Sequence, residues 1–371
     1  MINELPLNPF WKKRGCVFKE ERGWRLPAFF ESPEADYRKA AERCGISDLS
    51  FRGKIELRGK DRVSFLHNLL THDIQNLAPG GGCRAMLLNA AGKILADMNV
   101  HIFEDSVLLD TEMGLQKKLL DLLDRYLITE DVRISDQSGA CIHLSLQGPE
   151  TASVLRNFFQ TQIPARPFQN ASLLFDSIPL IFFCLTDPIK TEYQFLIPKE
   201  KAVYVIEKIL AGGEKNGPGL TGCDAAEILR LERGELRYGW EMSEDILLPE
   251  TGLEDLTASE TKGCYPGQEV VARIRTYKGL KRKITGLILN EEKFRTDQLP
   301  ASGDRICAGE TNSETGKEIG RIATSCLSIR LKKGIALGYL EKGFADPGEE
   351  VTIQSASGKI SARTAALPFV L

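Results

Sequence analysis

One thiol in this chain sits where a thiol could react. The segment Lys262-Gly263-Cys264-Tyr265-Pro266-Gly267-Gln268-Glu269 sets Cys264 between a glycine and a Tyr-Pro-Gly run. Gly263 and Gly267 can take backbone angles that other residues resist, and Pro266 fixes its own φ. The spacing therefore predicts a rigid turn with Cys264 at the surface. Lys262, Arg273 and Arg275 lie near in sequence, and positive charge beside a thiol favours the reactive thiolate. The alternative is an ordinary small apolar side chain, because free cysteines are usually buried.

A second constellation lies in RAMLLNAAGKILADMNVHIF, residues 84–103. It reads as two strands around an Asn-Ala-Ala-Gly turn. In the second strand Asp97, Asn99 and His101 share one face, and Met98, Val100 and Ile102 share the other,. Three polar groups on one side, the first acidic, either line a polar cavity or face solvent from a sheet edge. A third candidate is the helix predicted over 221–234, TGCDAAEILRLERG, with Arg230 and Arg233 near its end. Arg230 there could grip an anionic ligand as a forked donor or simply complement the helix dipole.

Composition removes several function classes. A chain of 371 residues should hold two or more domains, and 42% hydrophobic with 27% charged residues is a globular balance,. A net charge of −3 gives no global attraction to nucleic acid or anionic membranes, and KGLKRK at 278–283 is the best local basic patch,. No direct nucleic-acid partner is expected, because one basic run is usually a solvated loop. No apolar run reaches the roughly 18 residues of a membrane span. The opening MINELPLNPFWKKRG has no basic-then-apolar signal pattern, so the expected location is cytoplasmic,. Nine scattered cysteines with no CxxC argue against a disulfide framework or a zinc site, and four histidines form no HExxH-like pair,. No metal site is expected.

The elements that must position these residues follow from periodicity. Residues 1–30, rich in aromatic and basic side chains, read as an arm over the body. SPEADYRKAAERCG predicts a helix with Ser32 as N-cap, Pro33 at the first position and Gly45 as stop,. ISDLSFRGKIELRG alternates as a strand, and DRVSFLHNLLTHDI is a helix with Val63, Leu66, Leu69 and Leu70 on one face. A helix over 114–127, strands around 131–147, a helix opened by Gly148-Pro149-Glu150, a β-rich section to Ile197 and a helix over 200–210 follow. GGEKNGPG at 212–219 reads as a flexible loop. After about 281 short strands between Gly, Asn and Ser turns predict a small β-barrel or sandwich.

Taken together these segments resemble the glycine cleavage T-protein, or aminomethyltransferase-like, superfamily of folate-binding proteins, from about 36 to 371. KGCYPGQEVVARI looks like the signature of its YgfZ branch. GISDLSFRGKIELRGKDRVSFLHNLLTHDIQNLAPG, LLNAAGKILAD, LSLQGPE and LRLERGELRYG support the resemblance in the superfamily's order. It implies an α+β fold, a three-subdomain ring with a C-terminal β-barrel: an arm over 1–35, a folate-binding domain of two subdomains over 36–280, and a barrel over 281–371. It implies tetrahydrofolate, or a derivative, as cofactor.

The same resemblance carries roles to individual positions. Asp97 matches the T protein's acidic residue beside the folate nitrogens, which favours the cavity reading of its strand. Asn99 and His101 follow on that face, and Asn99 joins the implied cofactor set. Arg230 matches a folate-contacting arginine, and Tyr238 lies in the following RYG turn. The T protein's GYTGEDGFE-type loop is degraded here to IKTEYQFLI: Glu192 keeps the first acid, but Leu196 falls where a pterin-binding acid is expected. Arg84 stands where the T protein has an aromatic residue, and the T protein lacks the KGC cysteine.

These departures imply a YgfZ-like protein that supports iron–sulfur enzymes or their assembly factors, with indirect effects on tRNA modification. Cys264 and Asp97 would then be the catalytic pair. The alternatives are an aminomethyltransferase moving a one-carbon unit to tetrahydrofolate and a non-catalytic folate-sensing scaffold.

Overall fold

The computed structural model describes residues 2–211, 217–277, 279–290, 298–309 and 316–370. The loop expected over 212–219 and the basic run over 278–283 fall partly outside the described residues, at 212–216 and 278. The chain divides into two compact units. The first is Met1–Asn68, His72–Ala85 and Met98–Glu227; the second is Leu69–Thr71, Met86–Asp97 and Ile228–Leu371. Among the described residues the strands form a three-stranded, a six-stranded and a five-stranded sheet and a closed barrel. This is the expected α+β class with a C-terminal barrel.

The opening stretch is more than an arm. Strands Asn3–Glu4, Val17–Glu21 and Trp24–Phe29 form the three-stranded sheet, with Trp24–Phe29 in the middle. Helix Asn8–Lys13 drives Trp11 into a core with Ile142, Leu144, Phe182 and Phe195. The Trp11 Nε1–H donates to Asp48 Oδ2 at 2.7 Å, which satisfies both buried groups,. The dense basic residues hide this from periodicity, because the apolar positions are few and large.

Helix Pro33–Glu42 is capped as expected, with Ser32 Oγ accepting from the Ala35 N–H,. ISDLSFRGKIELRG, a single strand by alternation, is two: Gly45–Asp48 in the six-stranded sheet and Gly53–Arg58 in the five-stranded sheet. The chain turns between them, with the Arg52 N–H donating to the Leu49 carbonyl and the Leu49 N–H to His143. Alternation continues through such a turn, so it does not mark the break.

The predicted hairpin is Gly82–Leu88 and Ile94–Ile102. Asn89 Oδ1 accepts from the N–H groups of Ala91 and Lys93, and Gly92 takes φ +76°, a conformation that suits glycine,. Strand Ile94–Ile102 lies between Gly82–Leu88 and Ser106–Thr111, so its polar face is not a sheet edge. Beyond Ser106–Thr111 come Gly53–Arg58 and Arg133–Asp136. In this register Asn99 pairs with Asp110, and Asp110 pairs on its other side with Lys54.

The barrel runs in the order Arg282–Leu289, Lys333–Glu341, Glu318–Ser328, Arg305–Ala308, Glu350–Ser355 and Gly358–Ala365. Closure leaves no open edge, which decides between barrel and sandwich. Leu287, Ile306, Ile322, Leu340, Ile353 and Ala362 fill its core. The strand Arg305–Ala308 has four residues, too few for a period to show in the sequence,.

Candidate functional site

In the first unit a buried polar network gathers on Asp110 of strand Ser106–Thr111. Arg52 Nε and Nη2 donate to Asp110 at 2.8–3.1 Å, and Nη1 donates to Glu112. Asn99 Nδ2 donates to Asp110 Oδ2 at 3.2 Å. Burial opposes ionisation of Asp110, but the Arg52 guanidinium outweighs it and holds the carboxyl well below the usual range,. Lys54, fully buried, donates its ammonium protons to the carbonyls of Arg52 and Ser50.

On the six-stranded sheet Glu192, Gln194 and Leu196 lie opposite Gln147, Ser145 and His143. Glu192 accepts from Gln194 Nε2 at 2.7 Å and Ser145 Oγ at 2.9 Å, and pairs with Lys190 at 3.0 Å. Gln194 must turn its amide N–H to that carboxylate, so its Oε1 faces His143 Nε2 at 2.9 Å and makes Nε2 the protonated nitrogen,. Burial pushes the His143 imidazole down to about 3 and that of His101 to about 4, so both rings are neutral. His101 lies against Phe183, with ring centroids 4.0 Å apart. Leu196, where the resemblance expects an acid, packs with Phe183 and Leu108.

Burial raises the Glu192 carboxyl, but Lys190, Gln194 and Ser145 outweigh it and bring it down to about 2. A folded-state value below the unfolded one gives stability that is present above about pH 4.3 and lost as pH falls towards 2,. Glu192→Gln should therefore melt below wild type at pH 7. The gap should shrink between about pH 4.5 and 3 in thermal melts, and a gap constant with pH would show that the ion is not the source.

In the second unit the reactive-thiol segment is built as a presented loop. Cys264 is exposed, whereas its neighbours Lys262 and Tyr265 are buried. The Lys262 ammonium donates to the Leu70 carbonyl at 2.5 Å and lies 5.3 Å from the Tyr265 ring centroid. Arg275 pairs with Asp255 and Glu260. The Lys262 and Arg275 charges expected beside the thiol are thus engaged in holding the loop. Gly267 takes φ +80°, and a Cβ there would lie 2.5 Å from the Asn89 carbonyl oxygen, so only glycine permits this approach. The loop thereby rests on the turn of the LLNAAGKILAD hairpin. Gln268 and Glu269, expected within the motif loop, instead open helix Gln268–Tyr277. The contact at Gly92 lies five residues before Asp97, roughly 16 Å along the strand,.

Asp97 is buried in this unit, and so is Tyr238. Arg230 directs its fork at Glu241, with Nη1–Oε2 at 3.0 Å and Nη2–Oε1 at 3.1 Å, and Nη1 also donates to the Glu235 carbonyl. Glu241 further accepts from the Arg237 N–H at 2.9 Å and from Thr324 Oγ1. Arg230 is therefore not a plain helix-dipole partner.

Sequence alone does not single out Arg52, Asp110, Gln194 and His143 as site residues. Their partners lie tens of residues away, and the one available signal is a charged residue at an inward strand position, as with Asp110 in SVLLDT. Among the described residues no group of three or more His, Cys, Asp or Glu side chains could hold a metal ion. No described helix is long and apolar enough to cross a membrane.

The family model described as the GCVT N-terminal domain matches residues 7–260, and that of the glycine cleavage T-protein C-terminal barrel domain matches 282–370. An aminomethyltransferase of Bacillus velezensis is 27% identical, with 100% of this chain and 98% of that protein covered. One from Bacillus subtilis is 24% identical, with 100% and 99% covered. The crystal structure of glycine cleavage system aminomethyltransferase T from Bartonella henselae shares the fold, with TM-score 0.86, 22% identity and coverage of 100% of this chain and 98% of that one. The two family models span nearly the whole sequence, and the chain belongs to the glycine cleavage T-protein family.

Proposed function

We propose that this protein binds a reduced folate and acts as a YgfZ-type member of its family, supporting iron–sulfur enzymes through the Cys264 thiol. The observation that carries the reading is the construction of the 262–267 loop. Its lysine, tyrosine and glycine are tied into the second unit while the cysteine is held out to solvent. A structural cysteine needs no such support.

In this reading Asp97 positions the N5/N10 region of tetrahydrofolate. Arg230, fixed by Glu241, and Tyr238 are the other cofactor residues of the second unit, and Asn99 and Glu192 are those of the first. The polar groups fit a pterin, whose ring edge is rich in N–H donors: Asp97 and Asn99 supply acceptors on a strand that is not a sheet edge. Cys264, after folate binding, would handle a sulfur, cluster or one-carbon adduct. Cys264→Ser is expected to abolish cellular complementation while leaving tetrahydrofolate binding and melting temperature unchanged. Full complementation by that variant removes the thiol mechanism.

A second reading is aminomethyl transfer to tetrahydrofolate, with Asp97 assisting proton movement at the folate nitrogen. It is favoured by the relatives named aminomethyltransferase, which the chain matches along nearly their whole length. Methylene-tetrahydrofolate formation from a lipoyl-carried aminomethyl group, undiminished in Cys264→Ser, would select it.

A further inference from the structure

We propose that Arg52 and Asp110 are positioning residues for Asn99. They lock its amide so that the carbonyl Oδ1 is the atom offered to a ligand and an N–H group is what it selects. This rests on the reading above, in which Asn99 faces the folate.

An asparagine amide is nearly symmetric in shape, and in water it turns over freely between its donor and acceptor ends. At residue 99 it cannot. Asp110 lies directly opposite across the strand pair, and an ionised carboxylate only accepts hydrogen bonds,. The end of Asn99 that meets Asp110 Oδ2 at 3.2 Å must therefore be the NH2. The reversed amide would set its carbonyl oxygen against a carboxylate oxygen, with no proton between them.

What keeps Asp110 ionised is the second half of the device. Arg52 donates three times to its two oxygens, at 2.8, 2.9 and 3.1 Å, and Lys54 is its cross-strand neighbour on the other side. Asp110 is 1% exposed, so its charge is fixed by these cations rather than by water. Arg52 is itself braced by Glu112. The chain of constraint runs Glu112, Arg52, Asp110, Asn99.

The free end of the amide then has a defined character. Asn99 is half-buried, and its Oδ1 takes no hydrogen bond from the described residues. It is an acceptor on the face of strand Ile94–Ile102 that also carries Asp97 and His101. An oxygen that cannot exchange places with the NH2 takes an N–H and gains nothing from a ligand carboxylate or carbonyl. For tetrahydrofolate this favours the N–H groups of the pterin over the carboxylates of the glutamyl tail.

Asn99→Asp, Asp110→Asn and the charge-conserving swap Asn99→Asp/Asp110→Asn test the device, with anaerobic calorimetry of tetrahydrofolate binding and a melting curve for each. Asn99→Asp places two carboxylates face to face and should weaken binding by about tenfold or more, with a lowered melting temperature. Asp110→Asn can donate or accept and so should weaken binding less. In the swap, the amide introduced at position 110 donates to the carboxylate introduced at position 99, whose other oxygen again offers an acceptor. Binding should return to within about threefold of wild type, and the melting temperature should recover with it.

A swap that melts like wild type but binds as weakly as Asn99→Asp overturns ligand selection by the amide. A swap no better than Asn99→Asp in both readouts overturns the orientation itself. If wild type binds no tetrahydrofolate while the melting pattern holds, the folate reading fails, the N–H selection falls with it and the locked amide stands.

Discussion

Arg230→Met is expected to destabilise the unit that contains the barrel by about 3–5 kcal/mol, as breakage of a buried ion pair does elsewhere. The guanidinium and Glu241 are both buried, joined by two near-parallel hydrogen bonds. Without the arginine, Glu241 keeps the Arg237 N–H and the Thr324 hydroxyl but loses its counter-charge. Arg230→Met/Glu241→Gln removes that stranded charge while keeping an acceptor for both donors, and should recover most of the loss. Urea denaturation of the two variants measures this, with tetrahydrofolate binding followed in parallel. A large loss of affinity with unchanged stability would make Arg230 a ligand contact first.

Trp11→Ala is the second large effect, about 3–5 kcal/mol for the emptied core volume, with a further cost for the donor taken from Asp48. Trp11→Phe separates the two contributions. Burial raises the Asp48 carboxyl above its usual range, against the hydrogen bonds from Ser50 and Trp11. A raised acid favours the folded state below its unfolded pKa and ceases to do so as pH rises through the folded value. The Trp11 donor matters most once Asp48 is ionised, so the Trp11→Phe deficit should grow as pH rises. Melts between about pH 4 and 8 read this directly; a deficit independent of pH would assign the whole effect to packing.

Both predictions concern residues whose partners in the fold are not visible in their sequence neighbourhood. The family resemblance implies a ligand contact at Arg230, and the structure adds Glu241 as the partner of its fork. Trp11 belongs to a stretch that reads as a surface arm, and it is buried against Asp48. Lys262 behaves in the same way: its place beside the thiol suggests a charge for Cys264, and it lies under the loop on the Leu70 carbonyl. In each case the side-chain type is informative about the interaction it needs, a fork, a large apolar body with one donor, or a compact cation. The partner comes from a segment brought in by the fold.

Local chemistry was legible in the sequence. The Ser32 cap, the Asn89–Gly92 turn, the glycines of the Cys264 loop and the period of the hairpin strands depend on residues a few positions apart. The run of short strands after 281 and the ordered T-protein segments carried the fold class and the family. What the tertiary structure alone decided was which distant groups meet. Asp110 faces Arg52, Asn99 and Lys54 because three strands share one register, and His143 reaches Gln194 through another. A shift of one residue in either pairing would send these side chains to opposite faces. Register is set by packing of whole sheets rather than by any local signal, so the polar network that orients Asn99 could not be read before the strands were in place.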